Sequence, residues 1–300
     1  MLLQKTIVIG KQFSIAAKIQ DYGQLTKMRL SGLVVFSAVM GFVIATRGDF
    51  SWLKLLTLVI GGFLVTGSSN AFNQIIEKDL DKLMSRTATR PLPEGRMSVA
   101  EASVAASLMG ITGIGMLWFL MNPLCGLLSA LSLILYVLVY TPSKRITPFS
   151  VLIGAIPGAF PPMLGWIAAK NEIGFEAIVL YVIQFIWQFP HFWAIAWNLH
   201  DDYKKAGFKM LPSKEGRTKG TAFLTMVYTS ALVPLALFLY QFNFTSLLSM
   251  IIIAGCGLFF TYQSYRLFES CSVKSAQRLM FGSFIYLPVV QMVIMFDKIF

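Results

Sequence analysis

Charge is scarce in this 300-residue chain. Asp, Glu, Lys and Arg together make up 13% of it and hydrophobic residues 56%, against roughly 25% and 45–50% in ordinary soluble domains. That shortage excludes a soluble globular domain, because the apolar excess has to face lipid. Acidic residues are fewer still, 14 against 25 Lys and Arg. Cysteine is limited to Cys125, Cys256 and Cys271, scattered along the chain, which gives neither a disulfide framework nor a zinc pattern. No small-residue cleavage site follows the first apolar run, so that run reads as a retained helix and not a signal peptide. No segment between apolar runs is long enough to fold alone, so 1–300 reads as one integral membrane domain.

What is present is a series of apolar runs. A helix needs about 20 residues to cross a bilayer, and runs of that kind start near Leu30, Leu55, Val99, Leu124, Val151, Ala177, Ala222, Leu247 and Leu279. Two are weak by composition, the Ser/Ala/Gly-rich run from Val99 to Met121 and the short one from Leu247 to Tyr262. The fold class is therefore all-α, with nine transmembrane helices.

Basic residues test that count, since cytoplasmic loops are rich in Lys and Arg. With the N-terminus cytoplasmic, Lys5, Lys11, Lys18, Lys27, Arg29, Lys78, Lys82, Arg86, Arg90, Arg96, Lys144 and Arg145 fall inside. So do Lys204, Lys205, Lys209, Lys214, Arg217, Lys219, Arg266, Lys274 and Arg278, leaving only Arg47, Lys54, Lys170 and Lys298 outside. One span more or fewer would mix the two sets. The net charge of +11 thus reflects topology, and nucleic acid is not an expected partner, because no single soluble face carries the charge.

Two cytoplasmic segments, about 73–97 and 198–220, carry candidate chemistry. In the first, Asn73, Glu77 and Asp81 recur every four residues and would share one helix face. Oxygen ligands stacked this way suit a hard cation such as Mg²⁺, which takes carboxylates, phosphate oxygens and water. Arg86 and Arg90 are placed to hold the same phosphates. The plainer reading is a juxtamembrane helix whose charges face water. In the second segment Asn198 and Asp202 repeat the spacing of four. Asn73 to Asn198 and Glu77 to Asp202 are both 125 positions apart, each pair at the cytoplasmic end of an even-numbered span. Two such clusters on one membrane side suit a shared metal–diphosphate site.

The residues from Asn73 to Leu92 resemble the signature of the UbiA superfamily of intramembrane prenyltransferases, and within it the branch that farnesylates haem. Further matches are Leu25-Thr-Lys27-Met28-Arg29, Tyr140-Thr141-Pro-Ser-Lys144-Arg145, Gly154 to Trp166, Pro190-His191-Phe192-Trp193, Asp201-Asp202-Tyr203, Ala206-Gly207 and Met210-Leu211-Pro212. The resemblance spans about Leu25 to Tyr286. Two departures stand out: Met28 where the family usually has proline, and Glu77 where many members have aspartate. Glutamate keeps the charge and lengthens the reach.

The resemblance implies a UbiA-type bundle in the cell inner membrane with its active site at the cytoplasmic face. It implies Mg²⁺ held by Asn73, Glu77, Asp81, Asn198 and Asp202, and farnesyl diphosphate and haem B as substrates. Lys27, Arg29, Arg86, Arg90, Lys144 and Arg145 become candidate diphosphate contacts, arginine's planar fork being suited to bidentate binding. Tyr203 joins them through its motif, and Asp201 takes a supporting place beside Asp202. Trp187, Phe189 and Trp193 are expected to cover the isoprenoid chain. The only histidines are His191 and His200. His191, between Pro190 and Phe192, is the candidate for contact with haem, whose iron commonly takes an axial histidine. Haem A synthase or a terminal oxidase would receive the product. The same metal site would serve a relative acting on a quinone or chlorophyll precursor. A transporter fits less well, since transporters bind near the bilayer midplane and these carboxylates gather at one face.

Overall fold

The computed structural model describes residues 14–46, 48 and 50–299; Lys5, Lys11 and Arg47, used above in the charge argument, lie outside them. Among the described residues the chain is helical, and nine helices are long and apolar enough to cross a membrane. A short helix α1 (Ile15–Leu25) precedes them. The spans are α2 (Met28–Ala45), α3 (Trp52–Asp81), α4 (Val99–Met121), α5 (Pro123–Ile146), α6 (Ser150–Lys170) and α7 (Phe175–Asn198). After the short α8 (His200–Lys205) come α9 (Lys219–Gln241), α10 (Leu247–Ser270) and α11 (Val273–Ile299). The run expected to end at Tyr262 continues to Ser270, because Tyr262, Gln263 and Ser264 prolong one helix whose polar Ser264 is buried against Thr229 (2.6 Å).

The inner ring is built where small residues let backbones meet. A side chain at Gly41 would strike the backbone of Pro162, and one at Gly165 the backbone of Ala38, so α2 and α6 cross at close quarters, as membrane helices do through small residues. Phe42, Leu58, Ile167, Ile183, Trp197, Leu279 and Ile294 fill the core between α2, α3, α6, α7 and α11. Ile111 and Phe119 on α4 and Leu248 and Phe259 on α10 point outward, the arrangement lipid requires.

Backbone irregularities are satisfied internally, which hydrocarbon demands. Pro157 interrupts α6 at Gly158 and Ala159. Pro162 has no N–H to give the Gly158 carbonyl, and Gln184 Nε2 from α7 donates there instead (2.9 Å), while Gln188 Nε2 adds a second bond to Ala155 O (3.2 Å), which also accepts from Ala159 N (3.0 Å). In α5 a π-helical stretch over Leu135–Tyr140 precedes Thr141 and Lys144; such turns are frequent at functional sites.

Candidate active site

The last turns of α3 carry a polar stripe, Asn70, Asn73, Gln74, Glu77 and Asp81, at helical spacing, and all five are buried. Asp81 is 0% exposed and Glu77 4%. Ionised carboxylates cannot stay there uncompensated, and each has its own cation. Lys144 Nζ stands 2.8 Å from Glu77 Oε1, and Arg90 Nη1 stands 2.6 Å from Asp81 Oδ2. Lys27 Nζ donates to Asn73 Oδ1 (3.3 Å), whose amide nitrogen donates to Thr141 Oγ1 (3.3 Å). Burial, with the Arg90 and Lys144 cations adding to it, brings the Lys27 ammonium down to about 7.

Arg90 is delivered by a tight loop. Thr87 Oγ1 donates to Asp81 O (2.9 Å), and Met84, Leu92 and Met97 are buried beneath the loop. Lys144 lies over the rings of Tyr140 (4.9 Å) and Phe208 (5.6 Å). Its backbone carbonyl accepts from Lys209 N (2.6 Å), so the segment after α8 packs across the end of α5.

The second motif differs from the first. Asn198 ends α7, and a turn at Leu199 separates it from α8, so Asn198 and Asp202 do not share a continuous helix. Arg217 Nε takes Trp197 O (2.8 Å), the carbonyl that Asp201 N–H would need to continue the helix. Asp202 bonds Ser85 Oγ (2.9 Å), in the loop after the first motif, and Lys205 Nζ (2.9 Å). Those two bonds hold its carboxyl below the usual range. Asp201 faces away and pairs with Arg217 (3.1 Å). Tyr203 packs edge-on to Phe208 (5.9 Å), the ring that Lys144 also lies over.

Of the expected cations, Lys27, Arg90 and Lys144 converge on the α3 stripe. Arg29, Arg86 and Arg145 are exposed and make no ion pair among the described residues. Among those residues no three His, Cys, Asp or Glu side chains form a group that could hold a metal alone. The oxygen set nevertheless fits a cation at two points: Asp81 Oδ1 and Asn198 Oδ1 are both buried without a hydrogen-bond partner.

The aromatic residues of α7 do not form one wall. At 100° per residue, Trp187 and His191 turn toward α11, where Trp187 Nε1 donates to Ser283 O (2.9 Å) and the Trp187 and His191 rings stack at 4.5 Å. Phe189 and Trp193 turn instead to Tyr228, 4.5 and 5.1 Å away, and pack with Met84, Met210 and Leu211. The expectation that all three aromatics cover one chain is corrected accordingly. His191 Nδ1 lies 2.7 Å from Ser283 Oγ, which itself donates to Met280 O (2.6 Å). With the serine proton so committed, Nδ1 carries the histidine proton and Nε2 the lone pair. His200 sits apart, its ring packed over the turn at Gly216.

Asn70 and Gln74 are legible in the sequence as part of the helical stripe, while Ser85 carries no signal in a single sequence.

Comparison with known proteins places the chain in a family. The UbiA prenyltransferase family profile matches residues 34–285. A Cytophaga hutchinsonii protein named protoheme IX farnesyltransferase is 50% identical over 288 residues, covering 95% of this chain and 100% of its own. A Flavobacterium psychrophilum protein of the same name is 46% identical over 286 residues, covering 93% and 94%. Among solved structures, that of a digeranylgeranylglyceryl phosphate synthase superposes with a TM-score of 0.79 at 19% identity over 94% of this chain and 99% of that one. An Archaeoglobus fulgidus UbiA homologue bound to GPP and Mg²⁺ gives 0.68 at 16% identity over 91% and 99%. At such identities the likeness speaks for the fold, while the profile and the end-to-end relatives settle the lineage: the chain belongs to the UbiA prenyltransferase family.

Proposed function

We propose that this protein transfers the farnesyl group of farnesyl diphosphate to a vinyl group of haem B, giving haem O and diphosphate. The observation that carries the chemistry is the buried stripe of Asn73, Glu77 and Asp81, with Lys27, Lys144 and Arg90 bonded to it one for one. The relatives named protoheme IX farnesyltransferase, matched along nearly their whole length, support haem as acceptor over a quinone or another aromatic ring.

Mg²⁺, when bound, offsets repulsion between carboxylates and diphosphate and stabilises the charge that builds on the leaving group. Asn73, Glu77, Asp81, Asn198 and Asp202 would supply its oxygen ligands, Asp81 Oδ1 and Asn198 Oδ1 being buried without a hydrogen-bond partner. Lys27 can turn from the Asn73 amide oxygen, and Arg90 and Lys144 from their carboxylates, to the phosphate oxygens. As the allylic C–O bond breaks, diphosphate takes the electron pair, and those cations hold it. The vinyl carbons attack the allylic cation, water adds to the resulting centre, and one proton leaves. His191, with Nε2 unprotonated, is the residue suited to face haem iron. The site lies at the cytoplasmic end of an inner-membrane bundle, and the apolar product stays in the bilayer, where haem A synthase or an oxidase would receive it.

The test is direct. Purified protein incubated with haem B, farnesyl diphosphate and Mg²⁺ should yield a haem heavier by one hydrated farnesyl unit. Turnover of 4-hydroxybenzoate with haem B untouched would replace this reading with the quinone one.

A further inference from the structure

The turn joining α1 to α2 is held by side chains of α3. Gln74 Nε2 donates to the carbonyls of Gln24 (3.0 Å) and Leu25 (2.7 Å), and Asn70 Nδ2 to that of Thr26 (3.3 Å). Ser31 Oγ accepts from Asn70 Nδ2 (3.2 Å) and donates to Thr26 O (2.7 Å). Three successive carbonyls at the end of α1 are thereby taken by groups outside that helix. Gln74, Asn70 and Ser31 are all buried. Gln74 even leaves its own Oε1 without a partner, an arrangement an apolar residue would avoid, but only by removing the side-chain donor to Leu25 O and leaving Gln24 O with the Lys27 N–H alone (3.2 Å).

The residue after these carbonyls is Lys27, at φ 48 and ψ 56. That left-handed conformation is unfavourable for a side chain such as lysine and persists only where surrounding contacts enforce it. From it the ammonium reaches Asn73 Oδ1, on the same face of α3 that carries the two amides. A proline at position 28 would preset the start of α2; Met28 does not, which leaves that start to the side-chain clamp.

We infer that Gln74 and Asn70 are positioning residues for farnesyl diphosphate: they lock the backbone of residues 24–26 so that Lys27 delivers its ammonium to the α3 face. This rests on the reading of Lys27 as a diphosphate contact. Neither amide touches the substrate; both act through Lys27.

The experiment is a double-mutant cycle of Gln74→Leu and Lys27→Met in the full-length protein, with KM for farnesyl diphosphate, KM for haem B, kcat and thermal unfolding measured for each variant. Gln74→Leu should raise KM for farnesyl diphosphate about tenfold or more, the scale of one charge-assisted contact, and leave KM for haem B unchanged. The double variant should be no worse than Lys27→Met alone. Effects that multiply, or an unchanged KM for farnesyl diphosphate in Gln74→Leu, would overturn the inference. If Gln74→Leu does not fold, Asn70→Ala takes its place in the cycle under the same criteria. An unchanged KM in Lys27→Met overturns the underlying reading of Lys27, an outcome separate from failure of the clamp.

Discussion

The two acidic motifs have the same spacing in sequence and opposite environments. Glu77 and Asp81 lie on an unbroken 30-residue helix, buried and each neutralised by a dedicated cation. Asp202 lies beyond a helix break, half-buried, and is held by a serine and a neighbouring lysine at the surface. Burial makes the first cluster rigid and electrostatically strong, since charges interact more strongly where water is excluded. The second joins the first loop through the Ser85–Asp202 bond, and Tyr203 and Lys144 both pack on the Phe208 ring. The difference teaches that preorganisation is concentrated in the first motif, and that the second completes it.

The sharpest test of that comparison is catalytic. Asp81→Asn and Glu77→Gln should each lower kcat/KM by about 10³-fold, the scale of losing a preorganised electrostatic contact; either variant retaining full turnover removes the metal-site argument. Asp202→Asn should cost about ten- to a hundredfold. Equal losses at Asp81 and Asp202 would erase the distinction between the motifs.

Stability should separate them too. Lys144→Met strands the buried Glu77 carboxylate and should cost about 3–5 kcal/mol, read as a clear drop in the thermal unfolding midpoint in detergent. Lys205→Met removes an exposed partner of Asp202 and should leave the midpoint nearly unchanged.

The smallest effect concerns pH. The Lys27 ammonium is charged below about 7 and neutral above it, so farnesyl diphosphate binding should weaken as pH rises through 7. Lys27→Arg, which stays charged, should remove that part of the pH dependence of KM, and an identical profile for both would exclude Lys27 from it.

Much of the stripe was readable beforehand because helical spacing fixes which residues share a face, so Asn73, Glu77 and Asp81 stand together as their positions require. Spacing failed where the helix failed. Asn198 and Asp202 are four apart, but the helix breaks at Leu199 between them, where Arg217 Nε donates to the free Trp197 carbonyl. The α7 aromatics were grouped by proximity in sequence, although residues two and six apart on a helix point to different sides, as Phe189 and Trp193 do relative to Trp187. Among six candidate cations, nothing local distinguished the three that fold inward from the three that face out.

The sequence by itself determined that this is a bundle of apolar helices with its acidic chemistry gathered at helix ends, because hydropathy and periodicity are local properties. Only the tertiary structure decided which cation neutralises which carboxylate, that Gln74 and Asn70 clamp the turn before Lys27, and that Ser85 ties the second motif to the first. Each of those joins residues from different helices or loops, and such contacts exist only once the helices have packed.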